Sequence, residues 1–94
     1  MSLEPKKYSK LSPYQRRSLR EAYITDQKGL CYWCKEPLHL DPPDHIKNKQ
    51  LNLNLFPPNF LKYPVHLQHD HDTDLTEGAV HAKCNGVMWQ YHGR

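Results

Sequence analysis

Residues 63–92, YPVHLQHDHDTDLTEGAVHAKCNGVMWQYH, decide the fold. Apolar and polar side chains alternate over residues 63–69, which predicts a strand, and residues 78–81 predict a second short strand. Asp72-Thr73-Asp74 predicts the turn between them, because aspartate tolerates the backbone angles of turns. Residues 82–92 predict a helix with an inward stripe at helical spacing: Cys84, Val87, Met88 and Tyr91. The last third of the chain is therefore predicted to fold as strand, turn, strand and helix.

A further helix is predicted near the N-terminus, over residues 12–26. Ser12 is a good N-cap, Pro13 suits the first helical position, and Gln15 completes a capping box. Gly29 then ends the helix. The apolar side chains of this helix share one face (Leu19, Ala22 and Tyr23), and its arginines lie largely on the other.

The middle of the chain shows few signs of regular structure. Residues 36–64 contain six of the eight prolines, which predicts a long and mostly irregular loop. Residues 51–55, Leu-Asn-Leu-Asn-Leu, alternate between apolar and polar side chains. This pattern fits either a short strand or an apolar surface for a partner, and the sequence leaves both open.

The composition predicts one domain with a thin core. The chain has 94 residues, of which 37% are hydrophobic, and such small domains usually need a disulfide, a metal or a partner. The sequence has no apolar signal segment and no stretch that could cross a bilayer, so we expect an intracellular, reducing compartment and no membrane partner. In that setting the three cysteines indicate metal binding before disulfides.

Two short motifs have the spacing of metal-binding knuckles. Cys31 and Cys34 form C-x-x-C, and His81 and Cys84 form H-x-x-C. Thiolate and imidazole are the ligands that zinc prefers, and Cys3His is a structural zinc set. We therefore expect one structural Zn2+ that joins the two ends of the long loop. The alternatives are ordinary buried thiols, or a different histidine as fourth ligand (His39, His45 or His66).

Basic residues concentrate near the N-terminus. The formal net charge is +3, and six basic residues fall within the first 20 positions: Lys6, Lys7, Lys10, Arg16, Arg17 and Arg20. Clustered positive charge suits the phosphate backbone of nucleic acid. We expect residues 1–10 to form a flexible basic arm that binds nucleic acid together with the following helix. The alternative is a solvated tail and a solvated helix face.

Histidines cluster at the first predicted strand. Three of them fall within six residues: His66, His69 and His71. Polar side chains lie between and after them: Gln68, Asp70 and Asp72. A neutral imidazole can take a proton from water near pH 7, and oxygen ligands can hold Mg2+ against a phosphate. Asn85 opens the final helix and would be carried towards Gln68 and His69 by the zinc knuckles. The pattern predicts phosphodiester hydrolysis, and the alternatives are a second zinc site or plain surface histidines.

The order of these motifs resembles the HNH, or His-Me finger, endonucleases, and within them the group of phage recombination endonuclease VII. Residues 66–73, HLQHDHDT, and residues 78–85, GAVHAKCN, carry the resemblance. Cys31 and Cys34 fit the first zinc knuckle of that family. The resemblance covers about a quarter of the chain and leaves out residues 1–30 and 36–64.

The resemblance implies a role for each matching position. His69 falls on the general base, and Asn85 falls on a metal-ligand asparagine. Gln68 stands where the family usually has a metal-ligand aspartate, so the catalytic Mg2+ or Mn2+ loses a negative ligand unless Asp70 replaces it. The remaining positions match flanking histidines that help to position the phosphate: His66 and His71.

Three differences from the family pattern concern the fold. His81 replaces a zinc cysteine, which zinc tolerates. Asp74 replaces the glycine of the turn, which is a mild change. The long helical C-terminal part through which endonuclease VII dimerises is not expected, so its junction specificity is not carried over.

We therefore predict an α+β protein with a small ββα-metal fold, an N-terminal helix and a structural zinc. Residues 1–10 are the basic arm, and residues 11–94 are the zinc-stabilised HNH nuclease domain. The predicted activity is nicking of DNA with a divalent cation, Mg2+ or Mn2+. The alternatives are a non-catalytic zinc module that binds nucleic acid, or an interaction protein that uses residues 51–56. The resemblance implies a phage-encoded monomer or weak dimer in the host bacterial cytoplasm, with DNA and other phage proteins as partners.

Overall fold

The computed structural model describes residues 3–93. Within them, three α-helices and one two-stranded antiparallel sheet are joined by irregular segments. The helices are α1 (Pro13–Asp26), α2 (Asp44–Lys47) and α3 (Ala82–His92). The strands are β1 (Val65–His69) and β2 (Thr76–His81). The protein therefore has the small α+β architecture that the sequence predicts. None of the helices in residues 3–93 has the length and apolar character needed to cross a membrane.

Helix α1 begins and ends where its sequence predicts. The Ser12 hydroxyl accepts from the backbone N–H of Gln15 at 3.1 Å, and the Gln15 side chain accepts from the Ser12 N–H at 2.8 Å. This confirms the capping box. Beyond the helix, Gly29 has a φ of +77°, a left-handed conformation that favours glycine. Tyr23 is buried on the inner face, and its hydroxyl lies 2.9 Å from the Thr76 hydroxyl, which joins α1 to β2.

The two strands pair in one register from Val65 opposite His81 to Gln68 opposite Gly78, and the register then shifts so that His69 lies opposite Thr76. This confirms the predicted hairpin, although β2 begins two residues earlier than the sequence suggests. In the turn, Asp74 adopts a φ of +62°. Aspartate tolerates this conformation, so it can occupy the place of the expected glycine.

Helix α3 packs against both strands of the hairpin and confirms the predicted helix over 82–92. Cys84, Val87 and Met88 are fully buried. Tyr91 is 46% exposed, and its hydroxyl donates to the Gln50 carbonyl at 2.6 Å, so its predicted place in the inward stripe is wrong. Tyr91 lies in the last turn of α3, and the hydrogen bond of its polar hydroxyl to the loop holds the ring at the surface.

The middle loop is mostly irregular, as predicted, apart from α2 and a 3-10 turn at Leu53–Leu55. The 3-10 turn shows that the strand considered for residues 51–55 is wrong. Asn52 explains the difference, because its side chain accepts from the Asn54 N–H at 3.1 Å and stabilises a turn in place of extended backbone. The loop closes onto α3 at Gly86, where a Cβ atom would lie 2.7 Å from Leu51 Cδ1.

Residues 6–8, which belong to the predicted arm, form hydrogen bonds with residues 74–76. The Lys6 N–H donates to the Thr76 hydroxyl at 2.9 Å, and the Lys6 carbonyl accepts from the Thr76 N–H at 2.9 Å. The Tyr8 N–H donates to the Asp74 carbonyl at 2.8 Å, and Lys7 pairs with Leu75 in an antiparallel bridge. The open edge at the start of β2 thus binds this segment through backbone hydrogen bonds. Residues 1 and 2 of the predicted arm lie outside the described residues.

Candidate metal centre and cleft

The four predicted metal ligands lie together in space. The sulfur atoms of Cys31, Cys34 and Cys84 and a ring nitrogen of His81 are all within 4.8 Å of one another. The first knuckle is a tight hairpin, in which the Lys35 N–H donates to the Cys31 carbonyl at 3.0 Å and Lys35 has a φ of +68°. The convergence of four ligand atoms on one point is the geometry of a metal site and is not required of ordinary buried thiols.

The orientation of His81 suits a metal ligand. Its Nε2 donates to the Pro37 carbonyl at 3.0 Å and to the Leu40 carbonyl at 2.9 Å. Its Nδ1 lies 3.4 Å from Cys34 Sγ and 3.5 Å from Cys84 Sγ. Because the carbonyls hold the proton on Nε2, the lone pair of Nδ1 faces the sulfur atoms. Among the described residues, none of the other three candidate histidines belongs to this cluster.

The three thiols of the cluster differ in their pKa values. A hydrogen bond from the Cys84 thiol lowers the pKa of Cys31 to about 4. The same contact raises the pKa of Cys84, and burial raises the pKa of Cys34. One thiolate is therefore stable near neutral pH, and a bound dication would favour the thiolate of the other two. The cluster can bind a divalent metal such as zinc.

A second feature is a cleft of about 690 Å³ between α1, β1 and α3. Eight of the predicted site residues line it: Arg16, Arg17, Arg20, His66, Gln68, His69, His71 and Asn85. The arginines come from α1 and the histidines from β1 and the residues after it, about 50 positions later in the sequence. Packing of α1 on β1 brings them together. The cleft therefore places positive charge beside the histidine cluster.

His69 is held in a stack of three side chains. The Tyr8 ring lies parallel to the His69 ring, with centroids 3.9 Å apart and planes at 7°. The guanidinium carbon of Arg16 lies 4.1 Å from the centre of the Tyr8 ring. His71 contacts His69 edge-on, with centroids 4.8 Å apart. Tyr8 thus restricts the orientation of the His69 imidazole.

The pKa of His69 lies below its ordinary value. Burial is the main cause, and the charge of His71 adds to it. The neutral imidazole therefore predominates at pH 7, and this is the form that can accept a proton. Burial also lowers the pKa of His66, which lies deeper in the cleft.

Asn85 and Gln68 both line the cleft but bind different neighbours. Asn85 Nδ2 donates to His66 Nδ1 at 3.0 Å. Gln68 is only 3% exposed, and its Nε2 donates to the His69 carbonyl at 3.0 Å and to Glu77 Oε1 at 3.3 Å. Both amides bond through nitrogen in these contacts, so their oxygen atoms are the ones that could contact a cation.

The remaining predicted site residues lie away from the cleft wall. The Asp70 carboxylate accepts from the backbone N–H groups of Asp72 at 2.8 Å and Thr73 at 3.0 Å, so it stabilises the β1–β2 turn. Lys7 Nζ donates to the Thr73 carbonyl at 3.0 Å. Neither Asp70 nor any of the predicted lysines (Lys6, Lys7 and Lys10) is among the cleft-lining residues. The predicted basic set is therefore divided, with only its arginines in the cleft.

Two groups of cleft residues do not follow from the sequence motifs. Tyr8 was part of the predicted arm, and nothing in its sequence neighbourhood indicates a contact with His69. The lining also contains four aromatic side chains from the middle loop and α3, which we call the aromatic wall: Phe56, Phe60, Tyr63 and Trp89. The apolar segment 51–56, which the sequence analysis gives as a possible surface for a partner, contributes Phe56 to this wall.

Comparisons of the chain with protein-family models, with curated proteins and with solved structures gave no match. The resemblance to HNH endonucleases therefore stays a prediction based on motif order. The chain is a small α+β protein with a Cys3His cluster that could bind a metal and a basic, histidine-containing cleft.

Proposed function

We propose that the protein is a metal-dependent endonuclease that hydrolyses phosphodiester bonds in DNA, with His69 as the general base. The observation that carries the proposal is the composition of the cleft. A neutral imidazole, held by Tyr8, lies in the same cleft as two amide side chains and three arginines. Phosphodiester hydrolysis needs a proton acceptor, a place for a cation and positive charge for the phosphates, and these residues supply each of them.

The fold proposed for this activity is the ββα-metal fold, with zinc in the Cys3His cluster. Its support is the consecutive order of β1, β2 and α3, whose junction contains the ligands His81 and Cys84. Zinc is the proposed ion because sulfur and imidazole ligands in a closed set of four suit it. The zinc would be structural, since its four ligands leave no position for a substrate.

A second cation, Mg2+ or Mn2+, would be held by the amide oxygens of Asn85 and Gln68. When bound, such a cation stabilises the negative charge that develops on the phosphate. Both oxygens are neutral, so affinity should be weaker than for a carboxylate site. The Glu77 carboxylate, which accepts from Gln68 Nε2 at 3.3 Å, is a source of negative charge beside that amide.

The proposed reaction starts with proton transfer from water to His69. The water oxygen attacks phosphorus as the new P–O bond forms, and the bond to the leaving sugar oxygen breaks. The leaving oxygen then takes a proton from solvent, and His69 returns its proton to solvent. Arg16, Arg17 and Arg20 would bind phosphates on the α1 side, while Tyr8 keeps the imidazole in one orientation.

The experiment is a nicking assay on supercoiled plasmid, with and without Mg2+ or Mn2+. We expect conversion to open circles only when a divalent cation is added. A second candidate, a non-catalytic zinc module that binds nucleic acid, is favoured by the buried, neutral Gln68. Tight DNA binding without cutting in any divalent metal would contradict the nuclease proposal and support that module.

A further inference from the structure

The aromatic wall of the cleft has no role in the proposed hydrolysis. It consists of Phe56, Phe60, Tyr63 and Trp89. Trp89 is 41% exposed and Tyr63 is 62% exposed, although each ring would be more stable if it were buried. Apolar rings that remain open on one side of a cleft indicate a ligand with flat, apolar faces.

Three of these four rings form a continuous series that leads to the histidine cluster. Trp89 contacts Phe56 edge-on at a centroid distance of 5.6 Å, and Phe56 contacts Phe60 at 4.6 Å. Phe60 in turn contacts His66 at 4.7 Å. His66 accepts from Asn85, the predicted cation ligand. A ligand that lies along these rings would therefore reach the residues proposed to cut it.

Another part of the cleft lining is cationic. Arg16, Arg17 and Arg20 line it from α1. A single strand of nucleic acid presents phosphates on one side and base faces on the other, which matches one cationic and one aromatic wall. A duplex keeps its base faces stacked inside, so it would bind the arginines and leave the aromatic rings without a partner.

We propose that the cleft binds single-stranded nucleic acid, with bases stacked on Trp89 and Tyr63 and phosphates on the three arginines. This inference rests on the proposed function for the cutting step only. Binding itself needs neither His69 nor a cation. The substrate class is therefore an unpaired strand, such as a flap, a loop or a single-stranded end.

The binding test uses fluorescently labelled dT12 and a 12-base-pair duplex, without added Mg2+ or Mn2+. We expect dT12 to bind more tightly than the duplex. Its affinity should fall with salt at a slope of about -2 on logarithmic axes, about -0.7 for each of three phosphates. Trp89→Ala and Tyr63→Ala should each weaken dT12 binding by about five- to a hundredfold, since stacking of a base on one ring contributes about 1–3 kcal/mol. Tyr14→Ala is the matched control, because Tyr14 is 75% exposed on α1 and lies outside the cleft.

A spectroscopic measurement covers the case in which Trp89→Ala folds poorly. In a Trp33→Phe variant, Trp89 is the remaining tryptophan, and base stacking should quench its fluorescence as dT12 is added. Duplex binding equal to or tighter than dT12 binding, without quenching, would overturn the inference and leave the nuclease proposal intact. Binding of neither oligonucleotide would also overturn it and would favour a protein partner for the aromatic wall. Binding and quenching without cutting would support the inference and contradict the nuclease proposal.

Discussion

Replacing His81 tests the metal centre, and the structure predicts different results for two replacements. His81→Ala removes the nitrogen ligand, so the cluster keeps only its three thiols. Binding of a structural zinc contributes roughly 10–16 kcal/mol in small zinc domains, whereas a domain of this size is stable by about 5–15 kcal/mol in all. We therefore expect His81→Ala to be largely unfolded and to lose its zinc.

His81→Cys is the matched control, because it restores a four-ligand set with sulfur. It should retain one zinc but lose the hydrogen bonds that Nε2 donates to the Pro37 and Leu40 carbonyls. The Pro37 carbonyl keeps the Leu40 N–H as a donor at 3.2 Å, so the loss falls mainly on the Leu40 carbonyl. Losing that hydrogen bond costs about 1 kcal/mol, which lowers the melting temperature by about 4–8 °C in a domain of this size. Zinc stoichiometry and a circular-dichroism melt measure both effects. Parental zinc content and melting temperature in His81→Ala would refute the assignment of His81 as a ligand.

Three further substitutions test separate contacts. Tyr8→Leu removes the ring stacked on His69, and we expect nicking to fall by about ten- to hundredfold while zinc content stays unchanged, because small losses of orientation are costly in catalysis. Gln68→Asp supplies a negative ligand, so the Mg2+ concentration for half-maximal cutting should fall. An unchanged requirement would show that Gln68 does not bind the cation. Gly78→Ala places a Cβ atom 2.6 Å from Gln27 Oε1, and the overpacking should destabilise the protein by about 1–3 kcal/mol in a denaturant titration. A change below 0.5 kcal/mol, roughly the scatter for neutral surface substitutions, would mean that Gln27 and also Tyr32, whose Cβ and Cγ lie 2.9 Å from the added atom, can move aside.

Local signals explain why much of the fold could be predicted from the sequence. The boundaries of α1 follow from Ser12 and Gln15, whose interactions are made within one helical turn. The hairpin and α3 follow from short periodic patterns. The metal cluster follows from ligand pairs that each lie three residues apart, since such pairs keep the same geometry in any fold that brings them together.

Contacts between distant segments explain what could not be predicted. The bonds that hold Lys6 and Tyr8 to the β1–β2 hairpin join residues separated by more than 60 positions, and they are largely made by backbone groups. Backbone groups are the same in every residue, so the sequence shows no sign of them. The arginines of α1 were expected on a solvated or phosphate-binding face, but their position beside the histidines depends on how α1 packs on β1.

The aromatic wall illustrates a third case. Phe56, Phe60 and Trp89 come from the irregular loop and from α3, and they meet because Gly86 lets the loop approach the helix. The apolar pattern of residues 51–55 suggested a surface, but Asn52 turns this segment into a 3-10 helix. A short apolar run in a proline-rich loop shows neither its conformation nor its neighbours.

The most direct test of the nuclease proposal is the nicking rate of His69→Ala, measured on one preparation with zinc content and DNA affinity. General-base catalysis contributes about a hundred- to ten-thousand-fold in rate, so we expect nicking to fall by at least a hundredfold. Zinc content should stay at one, since His69 lies outside the Cys3His cluster. DNA affinity should be nearly unchanged, because the arginines of α1 remain. Nicking by His69→Ala at the parental rate would contradict the proposed mechanism.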